Sequence, residues 1–118
     1  MKQHYKPMLA QTIDAPFNSK DWIFEIKWDG FRAISYIDRR LSIRSRNSKE
    51  LKHNFPELEE LKSLTRNTVL DGEIVIMRGG RADFQTLLER AKATSPIDIE
   101  HMSHRYPATY VTFDILEK

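Results

Sequence analysis

Apolar and polar residues alternate from Trp22 to Trp28, the period of a half-buried strand. Phe24, Ile26 and Trp28 fall on one face of that predicted strand, and Glu25 and Lys27 on the other. Asp29-Gly30 is a turn signal, and the pattern resumes as a second strand from Phe31 to Ile37. A third short strand, Leu41 to Arg44, follows the polar turn Asp38-Arg39-Arg40. Pro56 then opens a predicted short helix to Leu64. Proline suits a first helical turn, Glu57, Glu59 and Glu60 lie near its positive end, and Leu58, Leu61 and Leu64 make an apolar stripe. Thr68 to Met77 reads as a strand that Gly79-Gly80 breaks, and Asp83 is placed to cap a helix running to about Ala93. Pro96 and Pro107 bracket a stretch expected to be irregular, and Thr109 to Leu116 forms the last strand. The first twenty residues are polar and loop-like, with breaks at Pro7 and Pro16. The pattern predicts an α+β fold: an antiparallel sheet with two short helices.

Composition adds limits rather than a function. A chain of 118 residues is one small domain or a piece of a larger one, and 40% hydrophobic with 31% charged residues is ordinary for a globular protein. The formal charge of +2 marks no strong field for nucleic acid. Arg39, Arg40, Arg44 and Arg46 are nevertheless grouped, as a solvated hairpin or as an anion contact. There is no cysteine, which excludes disulfides and thiolate metal sites and fits a reducing cytoplasm. No apolar run approaches a membrane span, and Met-Lys-Gln-His-Tyr-Lys at the start lacks a signal-peptide core. The expectation is a cytoplasmic protein with no membrane contact. His101 and His104 have no partner pair for a zinc site and are expected on a solvated surface.

The chemistry concentrates at Lys27-Trp28-Asp29-Gly30-Phe31-Arg32. A lysine at a strand end, followed at once by a carboxylate, a glycine and an arginine, suits phosphate chemistry; the alternative is an edge lysine beside a hairpin turn. The six residues resemble the first signature of the covalent nucleotidyltransferases, which comprise DNA ligases, RNA ligases and mRNA capping enzymes. Three further pieces follow in the family's order. Ser45-Arg46-Asn47 is similar to the second motif, Leu70-Asp71-Gly72-Glu73 to the third, and Phe113-Asp114-Ile115-Leu116 to the aromatic-containing motif of the next core strand. The wording Glu25-Ile-Lys-Trp-Asp-Gly30 and Arg81-Ala-Asp-Phe84, with no upstream domain, looks most like ATP-dependent DNA ligases of the prokaryotic end-joining type.

That resemblance implies a partial nucleotidyltransferase (ATP-grasp-like) fold and a three-step reaction. Lys27 attacks the α-phosphate of ATP, AMP passes to the 5′-phosphate of a nick in double-stranded DNA, and the 3′-hydroxyl displaces AMP to seal the strand. It implies ATP and Mg2+ as cofactors and a role in DNA repair. By matching position, Arg32 contacts the ribose, and Arg46 a phosphate or the adenylated 5′ end, with Arg44 beside it on DNA. Glu73 holds the ribose or a metal, Phe113 stacks on adenine, Glu25 lies near the adenine, and Asp29 orients the lysine. Each has a plainer alternative: solvated charges for Arg32 and Arg46, an edge carboxylate for Glu73, core packing for Phe113, and turn formation for Asp29.

Residues 1–118 are expected to be the N-terminal portion of an adenylation domain. A later metal-binding glutamate beside a glycine, a pair of lysines for the triphosphate and an OB-fold domain belong to the family, and none has a counterpart here. The expectations are weak or absent activity for this chain alone and open sheet edges. Those edges would pair with a second copy or with a complementing chain. Two other functions fit the same motifs: an RNA ligase or capping-type enzyme, and a non-catalytic nucleotide- or DNA-binding module.

Overall fold

The run after Gly30 becomes β1 (Phe31–Ile37), and its return across the Asp38-Arg39-Arg40 turn becomes β2 (Leu41–Ser45). Our computed structural model describes residues 29–117. The strand predicted over Trp22–Trp28, with Glu25 and Lys27, lies outside them. After β2 come short 3-10 turns at Lys52–Asn54 and Pro56–Glu60, and α1 (Leu61–Leu64). The long strand β3 (Thr68–Val75) follows. A small ribbon, β4 (Met77–Arg78) with β5 (Arg81–Ala82), turns through Gly79 and Gly80. Both glycines have positive φ (59° and 79°), the left-handed pair that a two-residue hairpin requires. The chain continues as α2 (Phe84–Lys92), α3 (Pro96–Arg105) and β6 (Thr109–Glu117).

Four strands form one antiparallel sheet in the order β2-β1-β3-β6. One face carries the main core, where Ala33, Ile37, Leu41, Ile43, Leu70 and Ile74 meet Leu51, Phe55, Leu58 and Leu87. The other face holds a smaller cluster of Ile34, Tyr36 and Val69. Because β1 is covered on both sides, its apolar run is nearly continuous rather than alternating. The α+β antiparallel architecture expected from the sequence is therefore present.

Three local expectations are corrected. The Pro56–Leu64 helix is a 3-10 turn that relaxes into a single α-turn; Leu58 is in the core and Leu61 packs against it, but Leu64 is 72% exposed, so the end of the stripe does not reach the core. The Thr68–Met77 strand breaks at Ile76, and Met77 belongs to the ribbon. The stretch between Pro96 and Pro107 is helical as α3, giving three short helices rather than two. Ser95 caps it, Pro96 opens it, and Asp98 lies in its first turn.

A buried arginine joins these elements beneath the sheet. The Arg90 guanidinium of α2 bonds the Glu57 carboxylate, the Asn54 carbonyl (2.8 Å) and the Tyr106 carbonyl (3.0 Å), and lies 4.7 Å from the Phe55 ring centre. Glu57 also accepts from the Ala108 amide at 2.7 Å. Asn54 donates to the carbonyls of Arg90 and Ala93 at the end of α2. This cluster fixes α2 and the start of β6 against the Pro56 turn.

Candidate nucleotide-binding cleft

Gly30 lets the first signature reach β3. A Cβ there would lie 2.1 Å from the Ile74 carbonyl oxygen and 2.7 Å from a Val75 methyl, so no side chain fits. The Gly30 amide donates to the Glu73 carboxylate, and the register sets Arg32 opposite Glu73 and Ile34 opposite Asp71. Directly paired residues share a face, so Arg32, Asp71 and Glu73 project together.

Arg32 and Asp71 form a two-pronged pair, with Nε–Oδ1 at 2.7 Å and Nη2–Oδ2 at 2.6 Å. Asp71 is nearly buried (side chain 10% exposed) and Arg32 partly so (23%). The hydrogen bond to Asp71, opposed by burial, holds the guanidinium above its ordinary range and permanently charged. Burial pushes the Glu73 carboxyl above the usual carboxylate range, against the Gly30 amide and the Arg32 charge.

Phe113 reaches the same group through an irregularity. Gly72 pairs with Thr112 and Asp71 with Asp114, which leaves Phe113 as an extra residue in β6. Such a bulge re-aims a side chain. The ring lies 5.2 Å from the Arg32 guanidinium carbon and is 39% exposed rather than packed in the core. Opposite it, Gly72 allows the two backbones to close, since a Cβ there would meet the Val111 carbonyl oxygen at 2.3 Å.

An open cleft of about 850 Å³ lies where β1 begins and β2 ends. Asp29, Arg32, Arg46 and Glu73 line it, so residues from three separate signatures meet at one opening. Phe31 and Phe84 form an apolar wall, their rings edge to face at 5.7 Å. Asp83 places that wall by capping α2, accepting from the Thr86 amide at 3.0 Å.

A profile of the ATP-dependent DNA ligase domain matches residues 7–118. The chain belongs to that family. It is 35% identical over 114 residues to the SPbeta prophage-derived DNA ligase-like protein LigB of Bacillus subtilis, covering 95% of this chain and 39% of that protein. It is 34% identical over 113 residues to DNA ligase C of Mycobacterium tuberculosis, covering 93% and 31%. The ligase domain of M. tuberculosis LigD shares the fold, with a TM-score of 0.54 and 26% identity over 78% of this chain and 28% of that one. The chain thus spans about a third of the length of these three proteins.

Within this ligase domain the site residues expected from sequence separate into three groups. Asp29, Arg32, Arg46 and Glu73 line the cleft, and Phe113 stands beside Arg32. Arg44 does not line it. Its side chain bonds Ser42 Oγ (3.0 Å) and the Ser48 carbonyl (3.1 Å) and lies 3.8 Å from Glu50, partners that hold it on the β2 turn. Glu25 and Lys27 lie outside the described residues. Sequence reasoning gave no role to Asp71, Ser45, Lys49 or Phe84. Asp71 had a signal, its place in Leu70-Asp71-Gly72-Glu73, whereas Lys49 had none.

Proposed function

We propose that this ligase domain binds ATP in the cleft and takes up AMP on Lys27, as part of an enzyme that seals nicked or broken double-stranded DNA. The observation that carries the reading is the meeting of Asp29, Arg32, Arg46 and Glu73 at one opening, two residues along the chain from Lys27. A structural neighbour, mycobacterial DNA ligase D, is described as complexed with ATP. In the proposed step Lys27 Nζ attacks the α-phosphorus, and the bond to the bridging oxygen breaks. Pyrophosphate leaves with the electron pair, and the amine gives up a proton. The attacking amine must be neutral, although a free lysine has a pKa of about 10.4. Arg32 and Arg46 supply positive charge that lowers it and that neutralises the phosphates. Phe113 offers a half-exposed aromatic face to adenine.

The cleft fits magnesium only with help from substrate. Glu73 and Asp29 are its two carboxylates, and no cluster of three or more ligating side chains exists among the described residues. Magnesium keeps waters and phosphate oxygens as ligands, which suits so sparse a set. Glu73 and Asp29 would hold it, and it would supply charge neutralisation on the triphosphate. The chain spans about a third of the length of the relatives named above, and weak or absent adenylation by this chain on its own is the corresponding expectation. The β6 edge, which has no neighbour among the described residues, would take a second copy or a complementing chain as its partner.

Titration of the chain with ATP and with GTP tests the reading. ATP is expected to bind preferentially, and Arg32→Ala and Glu73→Ala each to weaken it about tenfold. A chain that binds neither nucleotide, or GTP more tightly, overturns it. Intact mass after incubation with ATP and magnesium identifies the nucleophile: any adenylyl gain must vanish in Lys27→Ala, and a gain that persists there removes Lys27 from the role.

A further inference from the structure

The end of β2 is built as a specific turn. The Ser45 amide donates to the Lys49 carbonyl at 2.9 Å, and the Ser48 amide to the Ser45 carbonyl at 2.8 Å. Ser45 Oγ accepts the Lys49 amide (3.1 Å) and lies 3.3 Å from the Asn47 amide. Ser48 takes a left-handed conformation, φ 61°, which costs a non-glycine residue energy and marks a turn held by its surroundings. Arg44 ties the outside of the turn through the Ser48 carbonyl. Arg46 and Lys49 are exposed and line the cleft, and neither makes an ion pair with a described carboxylate. One cation of the turn is committed to structure, and two face an opening that already holds Arg32.

We propose that Lys49 acts with Arg46 as a clamp for a phosphate dianion at the cleft mouth. This rests on the function proposed above and adds a specificity residue outside the four signatures. An arginine fork and a compact ammonium side by side suit a doubly charged, freely rotating phosphate better than a bridging diester. Two sources carry that group: the terminal phosphate of ATP and the phosphorylated 5′ end of a DNA strand.

The test measures equilibrium binding by the full chain in two ligand pairs. One pair is nicked duplex with a 5′-phosphate against the same nick with a 5′-hydroxyl, and the other is ATP against AMP. The wild type is expected to prefer the 5′-phosphate nick over the 5′-hydroxyl, ATP over AMP, or both, and Lys49→Ala to reduce that preference about three- to tenfold. For DNA, the salt dependence of log affinity becomes shallower by about 0.9, the loss of one phosphate contact. Lys49→Arg keeps the preference, and Lys62→Ala, an exposed cation paired with Glu59 on α1, leaves it unchanged. Loss confined to the DNA pair assigns the clamp to the strand end, and loss confined to the nucleotide pair assigns it to the triphosphate. The inference is overturned if Lys49→Ala keeps the wild-type preference, or if it weakens both members of each pair alike. A wild type that binds ATP but prefers neither the 5′-phosphate nick nor ATP over AMP overturns the clamp and leaves the proposed function standing. A wild type that binds neither adenine nucleotide nor DNA overturns both.

Discussion

Asp71 and Glu73 are two residues apart on one strand, face the same way, and have opposite electrostatic fates. Asp71 is spent on Arg32 with two short hydrogen bonds, while Glu73, opposite Arg32, carries a carboxyl raised by burial. Removing one partner of a largely buried pair strands the other. Asp71→Ala is therefore expected to lower unfolding stability by about 2–3 kcal/mol, because partly exposed Arg32 recovers some hydration. The double variant with Arg32→Ala should lose less than the sum of the single losses, and additive losses in urea titrations would show the pair uncoupled. Glu73 is linked to pH. Its raised folded pKa means the native state holds its proton more tightly than the unfolded chain, so its contribution to stability falls as pH rises through that window. Glu73→Gln should accordingly raise the thermal midpoint near neutral pH and leave it unchanged well below the ordinary carboxylate range. The gain stays below about 1 kcal/mol for a group so solvated. A variant less stable at neutral pH contradicts the assignment. The place of Glu73 at the cleft was legible in Leu70-Asp71-Gly72-Glu73; the pairing of Asp71 was not, because its partner sits 39 residues away on a strand whose register the sequence does not state. Sequence does not separate stacking from packing for Phe113, for the same reason. A bulge is a mismatch between two strands, and neither strand shows it alone.

At the scale of elements, legibility followed how each element is stabilised. β1, β2 and α2 were placed within a residue or two because apolar periodicity, turn residues and the Asp83 cap agree. α3 was missed because it lacks an apolar stripe: Ile97 is 80% exposed, and the helix buries only Ser103. Ser95-Pro96 with Asp98 is the available signal, but a proline reads equally as a break and as a first-turn residue. The Arg90 cluster is less legible still, since nothing in a helix sequence tells a solvated arginine from a buried one. It holds the Pro56 turn, α2 and the residues leading into β6, and α2 carries Phe84 and Ala91 on the cleft wall. Arg90→Met keeps much of the volume but leaves Glu57 without its cation and two carbonyls without donors. A loss of about 3–5 kcal/mol is expected by chemical denaturation, with weaker nucleotide binding as α2 loosens. A loss under 1 kcal/mol would mean that the cluster is hydrated in solution and does not anchor the helix.

Among the described residues the whole sheet has one protected edge and one open one. Along β2, the Leu51 amide donates to the Ile43 carbonyl, the Ser45 amide to the Lys49 carbonyl, and the Ile43 amide to the Glu50 carboxylate, so its outward groups are covered by the chain that follows. On the far side, β6 is a nine-residue strand with no neighbour beyond it among the described residues. It also presents apolar side chains, with Phe113 39% and Ile115 55% exposed. A long apolar edge without charge or proline at its centre, apart from Asp114, is a template for another strand. The expected outcome is concentration-dependent association, seen as a rise in weight-average mass by sedimentation. Ile115→Lys should abolish it, because a lysine on the edge must desolvate its charge to pair, while the β3 register and the cleft stay intact. Circular dichroism and ATP titration would check that the variant is folded. A wild type that remains monomeric across the accessible concentrations would show the edge to be covered within the chain itself. Association that survives Ile115→Lys would place the contact elsewhere. If β6 is the contact, association and nucleotide binding should be coupled. Phe113 sits in that strand with Arg32 under its ring, so pairing at the edge fixes one wall of the group that faces the cleft. ATP at saturation should then tighten dimerisation, by the square of the factor by which each site of the dimer binds ATP more tightly.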